Sequence, residues 1–139
     1  MSILWIGARH LSIPIISILP VLHGFLVLEM EDGALTFSGE RGKGIAAPLL
    51  VYERAYTADD PDAQNVVALR AAFDRVDGGH LLASFRTTLL AIEQRNLRYN
   101  ALSCNCNTVI TTLILRAGLE LAPPPAPFLP GYGRANVYV

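Results

Sequence analysis

The chain has 139 residues, of which 52% are hydrophobic and 17% charged, with a mean hydropathy of +0.37. This length suits one domain around one core, and the apolar content excludes intrinsic disorder, which needs low hydrophobicity and high net charge. A formal net charge of -1 offers no basic field to a polyanion, which argues against nucleic-acid binding driven by phosphate neutralisation.

Ile3 to Ala8 is a short apolar run that predicts a strand. Residues 9–20 read as a proline-punctuated connection. The uncharged run from Leu11 to Leu28 reaches the length threshold for a membrane span. Pro14, Pro20, His23 and Gly24 interrupt it, however, and its Ile and Val residues are strand-like. No small-x-small cleavage site follows it, so buried strands fit better than a span or a secretory leader. A cytoplasmic location, or export by a route without a cleavable leader, follows as the expectation.

Val21 to Met30 carries apolar residues at both parities and predicts a strand buried on both faces. Asp32-Gly33 between apolar runs is a hairpin signal, with Leu35 to Gly39 as the returning strand. With Asp32-Gly33 as the central turn residues, Val27 faces Ser38 and Phe25 faces Glu40. Gly39, Gly42 and Gly44 then mark an exposed loop, and Pro48 to Glu53 a further strand.

Three helices are expected next. Asp60 caps the first and Pro61 opens it. Val66, Leu69, Phe73 and Val76 share its face, and Gly78-Gly79 ends it. The second spans about His80 to Arg95, with Leu81, Phe85, Leu89 and Ile92 in register. The third starts at Cys106 or Asn107 and stops at Gly118. Five of the nine prolines fall between Pro123 and Pro130, which predicts an extended tail. Asn136 to Val139 is a candidate last strand. Strands first and helices later predict an α+β fold, an antiparallel sheet with helices packed on one side.

The chemistry concentrates at Ser103-Cys104-Asn105-Cys106-Asn107-Thr108. Cys106 falls on the first turn of a helix, where unpaired N–H groups and the positive end of the helix dipole favour thiolate over thiol. The competing reading is a small buried residue under a cap made by Ser103 or Asn105. Cys104 and Cys106 are poorly placed to bridge each other. A thiolate nucleophile needs a base that can return a proton, usually histidine. His10 reads as a surface residue and His80 as a capping or solvent residue. His23, inside an apolar strand, must be hydrogen-bonded in the core or look into a site. Glu40 shares the face of His23 as its diagonal neighbour in the hairpin and is the candidate to orient the imidazole. The alternative for Glu40 is a solvated carboxylate beside Arg41.

"HGFLVLE", the hairpin into "TFSGE" and the late "YNALSCNCNTVITTLILRAGL" resemble the circularly permuted papain-like cysteine peptidases and amidases. These are the permuted relatives of the NlpC-type cell-wall hydrolases and of the lecithin retinol acyltransferase group. There the histidine strand precedes the cysteine helix. Asn105-Cys106-Asn107-Thr108, Leu113 and Gly118 match the pattern, while Val109 stands where an aromatic is frequent. The resemblance covers about 23–40 and 99–119.

It implies Cys106 as nucleophile and His23 as base. Backbone N–H groups at the helix start would hold the oxyanion, with Asn105 and Asn107 as flanking support. Glu40 is carried by geometry and not by the motif. The expected function is a thiol hydrolase without cofactor or metal, cleaving an amide or ester in a peptide, peptidoglycan or acyl substrate. A bacterial effector with a cognate protein partner fits by analogy. The alternatives are a non-catalytic interaction module on the same fold, or a small site in which Cys104, Cys106 and a histidine hold a metal. The Cys-x-Cys spacing is short for structural zinc.

Overall fold

The computed structural model describes residues 1–10, 22–127 and 129–134. Among them the chain forms five strands, β1 (Ser2–His10), β2 (Leu22–Met30), β3 (Gly33–Arg41), β4 (Leu49–Ala55) and β5 (Val66–Val76). Two helices follow, α1 (Gly78–Gln94) and α2 (Cys106–Arg116). The strands make one antiparallel sheet in the order β4-β3-β2-β1-β5. This is the expected α+β arrangement.

Alternation along the strands sorts the sheet into two different faces. Leu4 and Ile6 of β1, Leu26 and Leu28 of β2, Phe37 of β3 and Leu49 of β4 point to the helices. They meet Leu81, Phe85, Leu89 and Ile92 of α1 and Val109, Ile110, Leu113 and Ile114 of α2 in one core. Phe37 and Phe85 meet edge to face, with ring centroids 5.1 Å apart. The opposite face carries Arg9, His23, Phe25, Thr36, Ser38 and Tyr52, and the segment after β4 folds over it.

Several expectations change. The hairpin turns at Glu31-Asp32, with Met30 paired to Gly33, whose φ of 143° suits glycine. The register therefore moves by two residues. Val27 faces Thr36, and the side chains keep their faces. β3 also runs on through Glu40 and Arg41, which the glycine spacing had placed in a loop.

The expected helix after Asp60 is a single 3-10 turn, Pro61–Ala63, capped by Asp60, whose side chain accepts from the Asp62 N–H. Residues 66–76 form β5 instead. β5 pairs with β1 through three register shifts. Each inserted residue flips the alternation, so the two-residue period is lost and Val66, Leu69, Phe73 and Val76 mimic helical spacing. Gly78 and Gly79 open α1 rather than end a helix before it, with Asp77 as the cap. A Cβ at Gly78 would come within 2.3 Å of Ser2 Oγ. The tail has no regular strand or helix over 119–127 and 129–134. The connection over 11–20, Val21 and the candidate strand Asn136 to Val139 lie outside the described residues. No helix among the described residues is long and apolar enough to cross a membrane.

Candidate active site

Asn105 caps α2. Its side chain accepts from the N–H groups of Asn107 and Thr108, and Thr108 Oγ1 accepts from the Asn105 N–H. This reciprocal capping box sets the helix start at Cys106. Val109 donates to the Asn105 carbonyl. Among the described residues the cap and the helix engage the N–H groups of Asn107, Thr108 and Val109 and not that of Cys106.

The helix start meets the sheet where two strands part. The β2–β3 ladder runs from Met30–Gly33 to Leu26–Phe37 and stops. Beyond it, side chains take both backbone groups of Gly24. Its N–H donates to Asn107 Oδ1 at 3.0 Å, and its carbonyl accepts from Ser38 Oγ at 2.6 Å. A Cβ at Gly24 would lie 2.4 Å from Asn107 Oδ1 and 2.9 Å from Ile110 Cδ1. Only glycine lets the helix approach this closely. At this gap the Cys106 sulfur and the imidazole of His23, which projects from the other face of β2, come within range of each other, and each shifts the titration of the other.

The far side of the imidazole is held by groups distant in sequence. His23 Nε2 lies 2.9 Å from Tyr52 Oη and 3.3 Å from Asp62 Oδ1. Asp62 is fully buried and saturated with donors. Arg9 Nε donates to Oδ1 at 2.8 Å, and Thr36 Oγ1 and Tyr52 Oη each donate to Oδ2 at 2.7 Å. Arg54 stands 3.5 Å away, lies over the Tyr52 ring and pairs with Asp60 at 2.8 Å. A carboxylate only accepts, so the single Tyr52 proton goes to Asp62. Tyr52 Oη then accepts from Nε2–H. This tautomer leaves Nδ1 for the sulfur.

The charges follow from these contacts. Burial opposes charge on Asp62, but His23, Arg9 and Tyr52 outweigh it and hold the carboxyl far below its usual range. Burial likewise disfavours an imidazolium, yet the Cys106 sulfur and Asp62 lift the His23 pKa to about 9. Burial raises the Cys106 thiol, and His23 with the N–H groups of Gly24 and Asn107 more than reverse this, lowering it. Burial and Asp62 push Tyr52 well above its ordinary value, so it stays a proton donor. Both shifts favour a thiolate beside an imidazolium, and the two groups titrate together.

Of the five residues singled out in the sequence, Cys106 and His23 come together. Asn105 and Asn107 flank Cys106 in sequence, and their side-chain amides bond to backbone carbonyls. Asn105 donates to the carbonyls of Ala101 and Pro130, and Asn107 to that of Pro130. They position the helix start. Glu40 is corrected. Its carboxylate is half exposed and faces Arg54 at 3.9 Å, and the carboxylate on His23 is Asp62. Asp62, Tyr52 and Arg9 were missed, because Asp60-Pro61-Asp62 reads as a helix start and nothing local marks Tyr52. Tyr99 lies near the sulfur as well. Burial and the Cys106 charge push its pKa up to about 12. His10 and His80 are exposed, as expected. Among the described residues no three His, Cys, Asp or Glu side chains gather in a way that could hold a metal ion.

No family model matches this chain, and no curated protein or solved structure shows significant similarity to it.

Proposed function

We propose that the protein is a thiol hydrolase of the permuted papain-like type, acting on an amide or ester carbonyl. The observation that carries this reading is the imidazole of His23 held between the Cys106 sulfur and the Tyr52–Asp62 pair. The order of the elements, histidine strand before cysteine helix, supports it. In the first step Sγ attacks the carbonyl carbon while the Cys106 N–H stabilises the oxyanion. The carbon–nitrogen or carbon–oxygen bond breaks, and the proton on His23 Nδ1 passes to the leaving group. Water then attacks the thioester, giving its proton back to Nδ1 and releasing the acid and the free sulfur. Asp62 and Tyr52 do not exchange protons in this scheme. They hold the ring and stabilise its charge.

His23 and Cys106 are only 2% and 6% exposed, so a substrate must displace part of the cover over the helix start. Peptidoglycan stem peptides, isopeptides and lipid esters all present a suitable carbonyl. The test is acyl trapping with an activated ester such as p-nitrophenyl acetate, read by mass spectrometry after an acid quench. The expected result is one acetyl group on Cys106, absent in Cys106→Ala and at least tenfold slower to form in His23→Gln. Acetylation equally fast on Cys104, or unaffected by His23→Gln, refutes the proposal and favours a non-catalytic module.

A further inference from the structure

A trough of about 500 Å³ lies on the sheet face that carries His23, toward the β2–β3 hairpin. Its floor is low because Val27, Gly33 and Ala34 are small. Trp5 of β1 and Leu69 of β5 line one side, and Tyr56, just after β4, lines the other. Trp5 is the only tryptophan in the chain. Its indole N–H donates to Glu29 Oε1 at 2.9 Å, which fixes the ring and the carboxylate together. The lining holds two carboxylates, Glu29 and Glu31, and no basic side chain. Glu31 stands 3.9 Å from the Met1 amino group. Glu29 has no basic partner among the described residues and is solvent-exposed.

Two aromatic side chains, an aliphatic floor and one carboxylate at the rim complement a cation on an apolar stem. Aromatic faces attract cations through the ring quadrupole, and the long stems of basic side chains lie along apolar surface while their heads seek polar partners. We infer that this trough binds a lysine side chain of a peptide, the stem lying over Val27 between Trp5 and Tyr56 and the ammonium reaching Glu29. Glu31 and Gly33, which line the trough, are exposed, and the peptide backbone would lie outside them. Phe25 stacks on Tyr56 at 6.2 Å and on His23 at 6.4 Å, so the trough and the imidazole lie on one face of the sheet with a single ring between them. The inference stands apart from the hydrolase reading, because none of its residues takes part in that chemistry.

The experiment follows Trp5 fluorescence during titration with Nα-acetyl-lysine methylamide, in the native chain and in Cys106→Ala. The uncharged norleucine analogue serves as the control. A saturable change is expected with the lysine probe in both proteins, and norleucine should bind at least tenfold more weakly. Glu29→Gln keeps an acceptor for the indole N–H but removes the charge, and should weaken lysine binding at least fivefold. Tyr56→Leu keeps an apolar wall and should weaken it at least threefold. No saturable change in the native chain, norleucine binding as tight as lysine, or native affinity in Glu29→Gln overturns the inference. Because Cys106→Ala retains the trough, these outcomes are independent of any failure of acyl trapping.

Discussion

At the scale of single residues, Asp62 organises the site. It takes hydrogen bonds from Arg9, Thr36 and Tyr52 and faces His23, so its charge is matched on every side. Breaking such a buried set leaves the partners unmatched. Asp62→Asn should cost about 3 kcal/mol in chemical denaturation, within the range for losing one partner of a buried ion pair. The folded pKa of Asp62 is depressed, so its contribution is present above the ordinary carboxylate range and is lost as pH falls through the folded value. Acid unfolding should therefore flatten in Asp62→Asn. Reactivity has its own profile. The thiolate population of Cys106 grows as pH rises through a lowered pKa, and the imidazolium proton is lost above about 9. Turnover should be bell-shaped and fall above about pH 9. The alkylation midpoint of Cys106 should lie below the ordinary thiol range of about 8.5. An alkylation midpoint at that ordinary value would contradict the ion pair.

At the scale of elements, the site depends on how α2 enters the sheet. The capping box sets where the helix begins, and the split β2–β3 ladder receives it. Gly24 joins the two, since its backbone groups bond to Asn107 and Ser38 in place of a neighbouring strand. Gly24→Ala places a methyl against the Asn107 Oδ1 and Ile110 Cδ1 side-chain atoms of α2, which would have to shift. Forced overpacking of this kind costs about 1–3 kcal/mol. The variant should melt earlier, and acyl trapping should slow at least tenfold as the sulfur moves away from the ring. A variant that lost stability but kept the trapping rate would show that the approach of α2 does not set the sulfur–imidazole contact. Asn65, at φ 55°, and the Pro61–Ala63 turn perform the corresponding task for Asp62, reversing the chain between β4 and β5 over the polar face of the sheet.

At the scale of the whole molecule, the two faces of one sheet divide the work. The helix-covered face supplies the core, and the opposite face supplies the polar array. The tail ties the two to the helix start. The Pro130 carbonyl accepts from Asn105 and Asn107, Gly133 N–H donates to Thr111 Oγ1, and Leu129 packs with Ala8 and Leu22 beside Arg9 and His23. A Cβ at Gly131 would come 2.8 Å from Thr108 Cγ2, so the tail lies close against α2. Deleting residues 128–139 should raise the alkylation rate of Cys106 several-fold and lower the melting temperature. An unchanged rate, measured by mass spectrometry at one pH, would mean the tail does not cover the sulfur.

Local order was legible because it is written locally. The helical stripe after Cys106, its asparagine cap, the apolar run holding His23 and the stop at Gly118 each rest on spacings within a dozen residues. The pairing of Cys106 with His23 was not written locally; the resemblance implied it, and the fold brings the two groups together. What only the tertiary structure decided rests on contacts across long separations. Residues 66–76 are a strand because the open edge of β1 takes them up, and their bulges erase the alternation that would have announced it. Glu40 lies on the face of His23 as expected, yet Arg54 faces its carboxylate. The carboxylate that holds the imidazole comes from a turn 39 residues further along the chain. Periodicity reports which way a side chain points from its own element. It carries no information on which distant loop folds back to meet it, and that choice is made by the packing of the whole sheet.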